Sequence, residues 1–140
     1  LSTITSQCNK AKLMLACRPV ATPDTLTLLA WAPRADVLFD TGTGNVPHLA
    51  NGSSWYFNGS SSWGFAPAGA VIDRYTCDVA GGNPGWGPPY DAPPYTLDST
   101  SPGRLCWHTG GQFINTGWRC GAAVWLNSDP NWVRVVYQAD

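Results

Sequence analysis

No stretch of ten residues in this chain carries apolar side chains at a convincing helical spacing, and 15 glycines and 12 prolines punctuate its 140 residues. Between the punctuation lie short segments in which apolar and polar residues partly alternate, the period of a pleated strand rather than of a helix. Strands are therefore expected at Lys12–Arg18, Thr25–Ala32, Asp36–Asp40, Ala70–Cys77, Arg104–Thr109, Ala122–Leu126 and Asn131–Gln138. Two echoing segments, NGSSWYF at 51–57 and NGSSSWGF at 58–65, each place a polar turn before aromatic residues, and together read as a hairpin-like pair. In the last strand Val133, Val135 and Tyr137 share one face, while Trp132, Arg134 and Gln138 share the other.

Eight or nine short strands in one chain of this length predict a single all-β domain, a disulfide-stapled β-sandwich or jelly-roll-like fold. Residues 1–10 are polar and read as an N-terminal arm, with the β domain spanning 11–140. The domain is interrupted by a Pro/Gly-rich excursion at 78–103, which holds six of the chain's prolines. A loop that long is expected to be functional or disordered.

The charge balance narrows the partners. Charged residues make up 12% of the chain, glutamate is absent, and the net charge is −1. That excludes the basic footprint of a nucleic-acid binder, and no apolar run approaches the roughly 20 residues of a membrane-spanning helix. Neither nucleic acid nor membrane insertion is expected. The chain opens at Leu1 without a methionine, as expected where a leader has been removed or the chain trimmed.

Five cysteines, at 8, 17, 77, 106 and 120, predict an oxidising compartment, two bridges and one cysteine over. If 78–103 is an excursion, the strands on either side of it lie close and Cys77 meets Cys106 at its base; Cys17 then takes Cys120. This scheme leaves Cys8 unpaired and available to another subunit. The competing scheme joins Cys106 to Cys120 and Cys8 to Cys17. Asn51-Gly52-Ser53 and Asn58-Gly59-Ser60 match the N-glycosylation acceptor pattern, and a secreted or cell-surface location is expected.

Val37-Leu38-Phe39-Asp40-Thr41-Gly42-Thr43-Gly44-Asn45 resembles the apolar-apolar-Asp-Thr-Gly turn of aspartic proteases, in which two aspartates share one proton. The resemblance covers nine residues and implies Asp40 as one half of a catalytic dyad. The chain holds no second Asp-Thr-Gly. The alternative is a local turn in which Asp40 caps its own backbone. Cys106, His108 and Cys120 lack the paired spacing of a zinc site, and a bridged Cys106 cannot serve His108 as a nucleophile. Neither a catalytic residue, a metal nor a cofactor is therefore assigned.

Recognition by aromatic residues remains. Tryptophan and tyrosine faces stack on the C–H faces of sugar rings, while Asp, Asn and Arg take hydroxyls through directional hydrogen bonds. Trp86, Tyr90, Asp91 and Tyr95 in the excursion qualify, as do Asn115, Trp118 and Arg119 in the glycine-punctuated block RLCWHTGGQFINTGWRCG at 104–121. Trp55, Trp63, Trp107 and Trp125 are expected in the core. The leading expectation is a non-enzymatic, lectin-like domain that binds glycans or glycoproteins. Its rival is a self-assembling extracellular structural subunit that uses the N-terminal arm and Cys8.

Overall fold

The computed structural model describes residues 1–42, 44–70, 72, 74, 77, 102–110, 118–124, 126 and 129–140. The described residues form two antiparallel sheets and two short helices, a mostly β architecture. A three-stranded sheet has the order β2-β1-β8, from Leu28–Pro33 (β2), Lys12–Pro19 (β1) and Trp132–Ala139 (β8). A five-stranded sheet runs β3-β4-β5-β6-β7, from His48–Ala50, Ser53–Phe57, Ser62–Pro67, Leu105–His108 and Arg119–Cys120.

The main core cluster draws side chains from both sheets. Leu13, Leu15 and Cys17 from β1 share it with Trp55, Trp63, Phe65, Leu105 and Trp107 from the larger sheet. The Trp63 ring meets Trp107 edge-on at 5.4 Å and Phe57 at 5.5 Å, the tilted geometry aromatic quadrupoles favour. Burying an indole also means finding a partner for its N–H. Trp63 donates to the Val37 carbonyl at 3.2 Å and Trp55 to that of Ala50 at 3.0 Å. A second, smaller cluster of Tyr56, Ala66, Ile72, Cys77 and Cys106 includes residues from β4, β5 and β6.

The structure joins Cys17 to Cys120 and Cys77 to Cys106, and leaves Cys8 as a free thiol. This is the first of the two pairings considered above. The Cys77–Cys106 bond forms without the expected strand at Ala70–Cys77. Ala70, Ile72, Arg74 and Cys77 lie outside any strand, Cys77 takes a φ of 53°, and β6 pairs instead with β5 and β7.

The echoing segments at 51–65 do form an antiparallel pair, β4 on β5, in the register Tyr56↔Gly64. The first Asn-Gly closes the β3–β4 hairpin with φ values of 48° at Asn51 and 77° at Gly52, both in the left-handed region that a tight hairpin turn demands. Gly64 has a different reason. A Cβ there would strike the Leu105 carbonyl oxygen and come within 2.9 Å of Cys106 Cα, so only glycine lets β5 and β6 approach this closely.

Three further segments depart from expectation. Asp36–Asp40 is not a strand: Arg34–Val37 makes one helical turn (α2), with Pro33 at its start and Leu38 N–H donating back to Arg34 at 3.1 Å. Residues Ser2–Gln7 form a helix (α1), and Ile4 and Cys8 pack against the core rather than trailing from it. Among the described residues of the expected strand Ala122–Leu126, Ala123 makes an isolated bridge to Cys120, while Leu126 N–H turns back to Trp118 O. No helix among the described residues is long and apolar enough to cross a membrane.

Candidate functional site

Two concave features stand out, one on each side of the three-stranded sheet. Alternation along β1 sends Leu13, Leu15 and Cys17 into the core, so Met14 and Ala16 face the other way. Met14 is paired with Trp31 on one side and Tyr137 on the other, which sets three side chains in a row across the outer face. Trp31 and Tyr137 are 42% and 47% exposed, and Leu29, one row along, is 46% exposed. The two aromatic residues line a groove of about 280 Å³ with Met14, Lys12 and Gln138. They stand two inter-strand spacings apart, roughly 10 Å, the scale of a disaccharide. Lys12 holds its ammonium over the Trp31 ring at 5.2 Å, a cation–π contact that positions a charge at the groove's end.

The second feature lies on the inner side. α1, β6 and β8 enclose a pocket of about 340 Å³ lined by Leu1, Ile4, Cys8, Trp107, His108, Thr109, Arg134 and Val136. Arg134 pairs in register with the buried Cys17, so it points toward the core side of its sheet. Its guanidinium sits 5.5 Å from the Trp107 ring centre and 5.8 Å from that of Trp118. Burial lowers its pKa.

Of the residues assigned to sugar binding from sequence, Trp118 and Arg119 are described, and both are buried. Trp118 belongs to the core cluster. The Arg119 guanidinium donates to the Gly121 carbonyl from Nε at 3.0 Å and from Nη2 at 2.7 Å. Neither therefore offers an open stacking face here. Trp86, Tyr90, Asp91, Tyr95 and Asn115 lie outside the described residues, as does Trp125. Trp55, Trp63 and Trp107 sit in the core as expected.

Asp40 occupies a local turn, accepting from Gly42 N–H at 2.7 Å and from the Asn58 amide at 3.1 Å. Its neighbour Phe39 is exposed and stacks on His48, whose Nε2 lies 2.7 Å from Asp36. Asn51, in the first glycosylation acceptor pattern, is exposed and donates to the Trp31 carbonyl at 2.7 Å. Asn58, in the second, opens the β4–β5 turn. No group of three potential metal ligands occurs among the described residues.

Sequence reading missed Trp31 and Tyr137 as a pair because they are distant in the chain and meet only through β1. The signal available was that each closes an alternating apolar run: Leu29 and Trp31 in one, Val133, Val135 and Tyr137 in the other. Comparison with protein-family models, curated proteins and solved structures found no match, so the functional reading rests on this geometry.

Proposed function

We propose that this protein is a non-enzymatic carbohydrate-binding domain whose binding surface is the outer face of the three-stranded sheet. The observation that carries the reading is the row Trp31–Met14–Tyr137, with both aromatic residues exposed and a groove between them. Strands hold such a platform more rigidly than a loop does, which suits stacking against a flat sugar ring. Lys12 supplies a polar group for hydroxyls, whereas the Gln138 amide is engaged with Lys10 N–H and the Gln7 carbonyl. We read the two sheets and their shared core as a β-sandwich of jelly-roll-like character, and the two disulfides fit a secreted or cell-surface setting.

A glycan array with the purified chain tests this directly. Selective binding to one glycan class, lost in Trp31→Ala and in Tyr137→Ala, is the expected result. Trp86→Ala and Tyr90→Ala form the parallel pair, for the excursion surface proposed from sequence. Loss confined to that second pair would move the site to the excursion, and a flat array with a folded protein would sink the lectin reading.

A second reading, self-association, draws on a separate observation. β8 is the last strand of its sheet, eight residues long with Arg134 its one charged residue, and it borders the same apolar outer face. Unguarded edges of this kind pair with other chains. Light scattering on the reduced and oxidised protein distinguishes the two, since a monomer across the working concentration range removes this reading.

A further inference from the structure

We propose that the pocket beneath α1 is a binding site for a small monocarboxylate carrying an apolar body, with Arg134 as its anchor. The argument begins with what holds Arg134. Its guanidinium contacts two indoles, Trp107 at 5.5 Å and Trp118 at 5.8 Å, and among the described residues it has neither a carboxylate partner nor a hydrogen-bond acceptor. A cation held over ring faces spends none of its five N–H donors on acceptors. Those donors form a planar fork whose natural complement is a carboxylate taken through two parallel hydrogen bonds.

The Arg134 side chain is exposed overall; what burial its guanidinium has lowers the pKa, and the two ring contacts hold it in place. A guanidinium stays charged in proteins at neutral pH. A charged side chain that is exposed at the pocket and has no acceptor among the described residues is open to an incoming anion.

The remaining lining defines the rest of the ligand. Leu1, Ile4 and Val136 provide an apolar wall, and the pocket's volume of about 340 Å³ lies within the range of small-molecule sites. His108 and Thr109 form the polar side, but the Thr109 hydroxyl is already committed as a donor to the Asn58 carbonyl. With one arginine and no lysine in the lining among the described residues, a single negative charge on an apolar body matches better than a multiply charged phosphate. The site is independent of the groove on the outer face.

The test uses hexanoate, its neutral analogue hexanamide, and inorganic sulfate, added separately to the intact protein. The readout is the indole N–H signals of Trp107 and Trp118 in two-dimensional NMR. Hexanoate is expected to shift these signals saturably, hexanamide to leave them in place, and sulfate to act at least tenfold more weakly. Arg134→Gln should weaken the hexanoate response at least tenfold, whereas Trp31→Ala should leave it unchanged. Equal responses to hexanoate and hexanamide would overturn the anchor, and an equal response to sulfate would overturn the apolar body. No response to hexanoate up to its solubility limit would overturn the site. Should Arg134→Gln fail to fold, the comparison of the three probes on the unaltered protein decides by itself.

Discussion

Arg34 donates from Nε to the carbonyl of Cys8 at 2.8 Å. The same guanidinium donates from Nη2 to Thr5, also at 2.8 Å, so one side chain from the first position of α2 closes the C-terminal end of α1. A cation at that end also complements the partial negative charge of the exposed carbonyls, although so short a helix carries little dipole. This clamp, with Ile4 and Cys8 packed on the core, is what holds the N-terminal segment down.

Arg34→Ala is therefore expected to free α1 while leaving the sheets intact. Hydrogen bonds from a charged donor are each worth about 1.5–3 kcal/mol, so opening of the segment should rise by roughly tenfold or more. The rate at which a thiol reagent labels Cys8, half-buried in the intact protein, reports that opening. An unchanged rate would mean that packing at Ile4 alone secures the helix.

Gly64→Ala should be among the most damaging small substitutions. The added methyl meets backbone, at the Leu105 oxygen and Cys106 Cα, and backbone cannot rotate away as a side chain can. Overpacking of this kind costs about 1–3 kcal/mol and occasionally more. Urea denaturation would show the loss as a lower midpoint with an unchanged slope; an unaltered midpoint would mean that β5 and β6 separate easily.

The two disulfides should contribute unequally. Cys17 and Cys120 are separated by 103 residues in sequence, Cys77 and Cys106 by 29. On the chain-entropy model these closures are worth about 4.7 and roughly 3–4 kcal/mol. Replacing both members of the Cys17–Cys120 pair by alanine should therefore lower the melting temperature more than doing so at Cys77–Cys106. The reverse order would point to residual structure in the unfolded chain.

Two arginines separate scaffold from site. Arg119 is fully buried and donates twice to Gly121, so Arg119→Met leaves that carbonyl without its donor and should cost about 1–3 kcal/mol. Arg134 is exposed and, among the described residues, held by ring faces, so Arg134→Met removes its cation–π contacts. At an exposed site such contacts are worth about 0.5–1 kcal/mol, so the net change should stay near 1 kcal/mol or below. Denaturation of both variants under the same conditions checks this, and a large loss at Arg134 would recast it as a structural residue.

Much of the strand content was legible because it rests on local chemistry. β1 and β8 carry alternating patterns bounded by turns, and the β4–β5 pair was evident from its repeated Asn-Gly-Ser-Ser. The segment 36–40 misled because Val37, Leu38 and Phe39 are an apolar run. Pro33 and the helix-compatible Arg34-Ala35 before it weigh the other way, and the run is too short for periodicity to arbitrate. α1 lacks an apolar stripe of its own and is stabilised largely from outside, by Arg34 and by packing of Ile4. The three residues of β3 are too few to show any period.

The candidate site was hardly legible at all, and β8 shows why. A period of two determined which of its residues share a face: Val133, Val135 and Tyr137 on one, Trp132, Arg134 and Val136 on the other. It could not determine which face turns inward. By apolar character alone the first set is the better core face, yet Arg134 and Val136 pair with the buried Cys17 and Leu15. Trp107 and Trp118, brought from elsewhere in the chain, give the guanidinium ring faces to lie against. Tyr137 is thereby left outside, across β1 from Trp31. Sequence alone determined the mostly β character, the strand faces and the need for disulfides, since these follow from neighbours along the chain. Tertiary structure decided which faces meet, because that depends on side chains many residues away filling the same space.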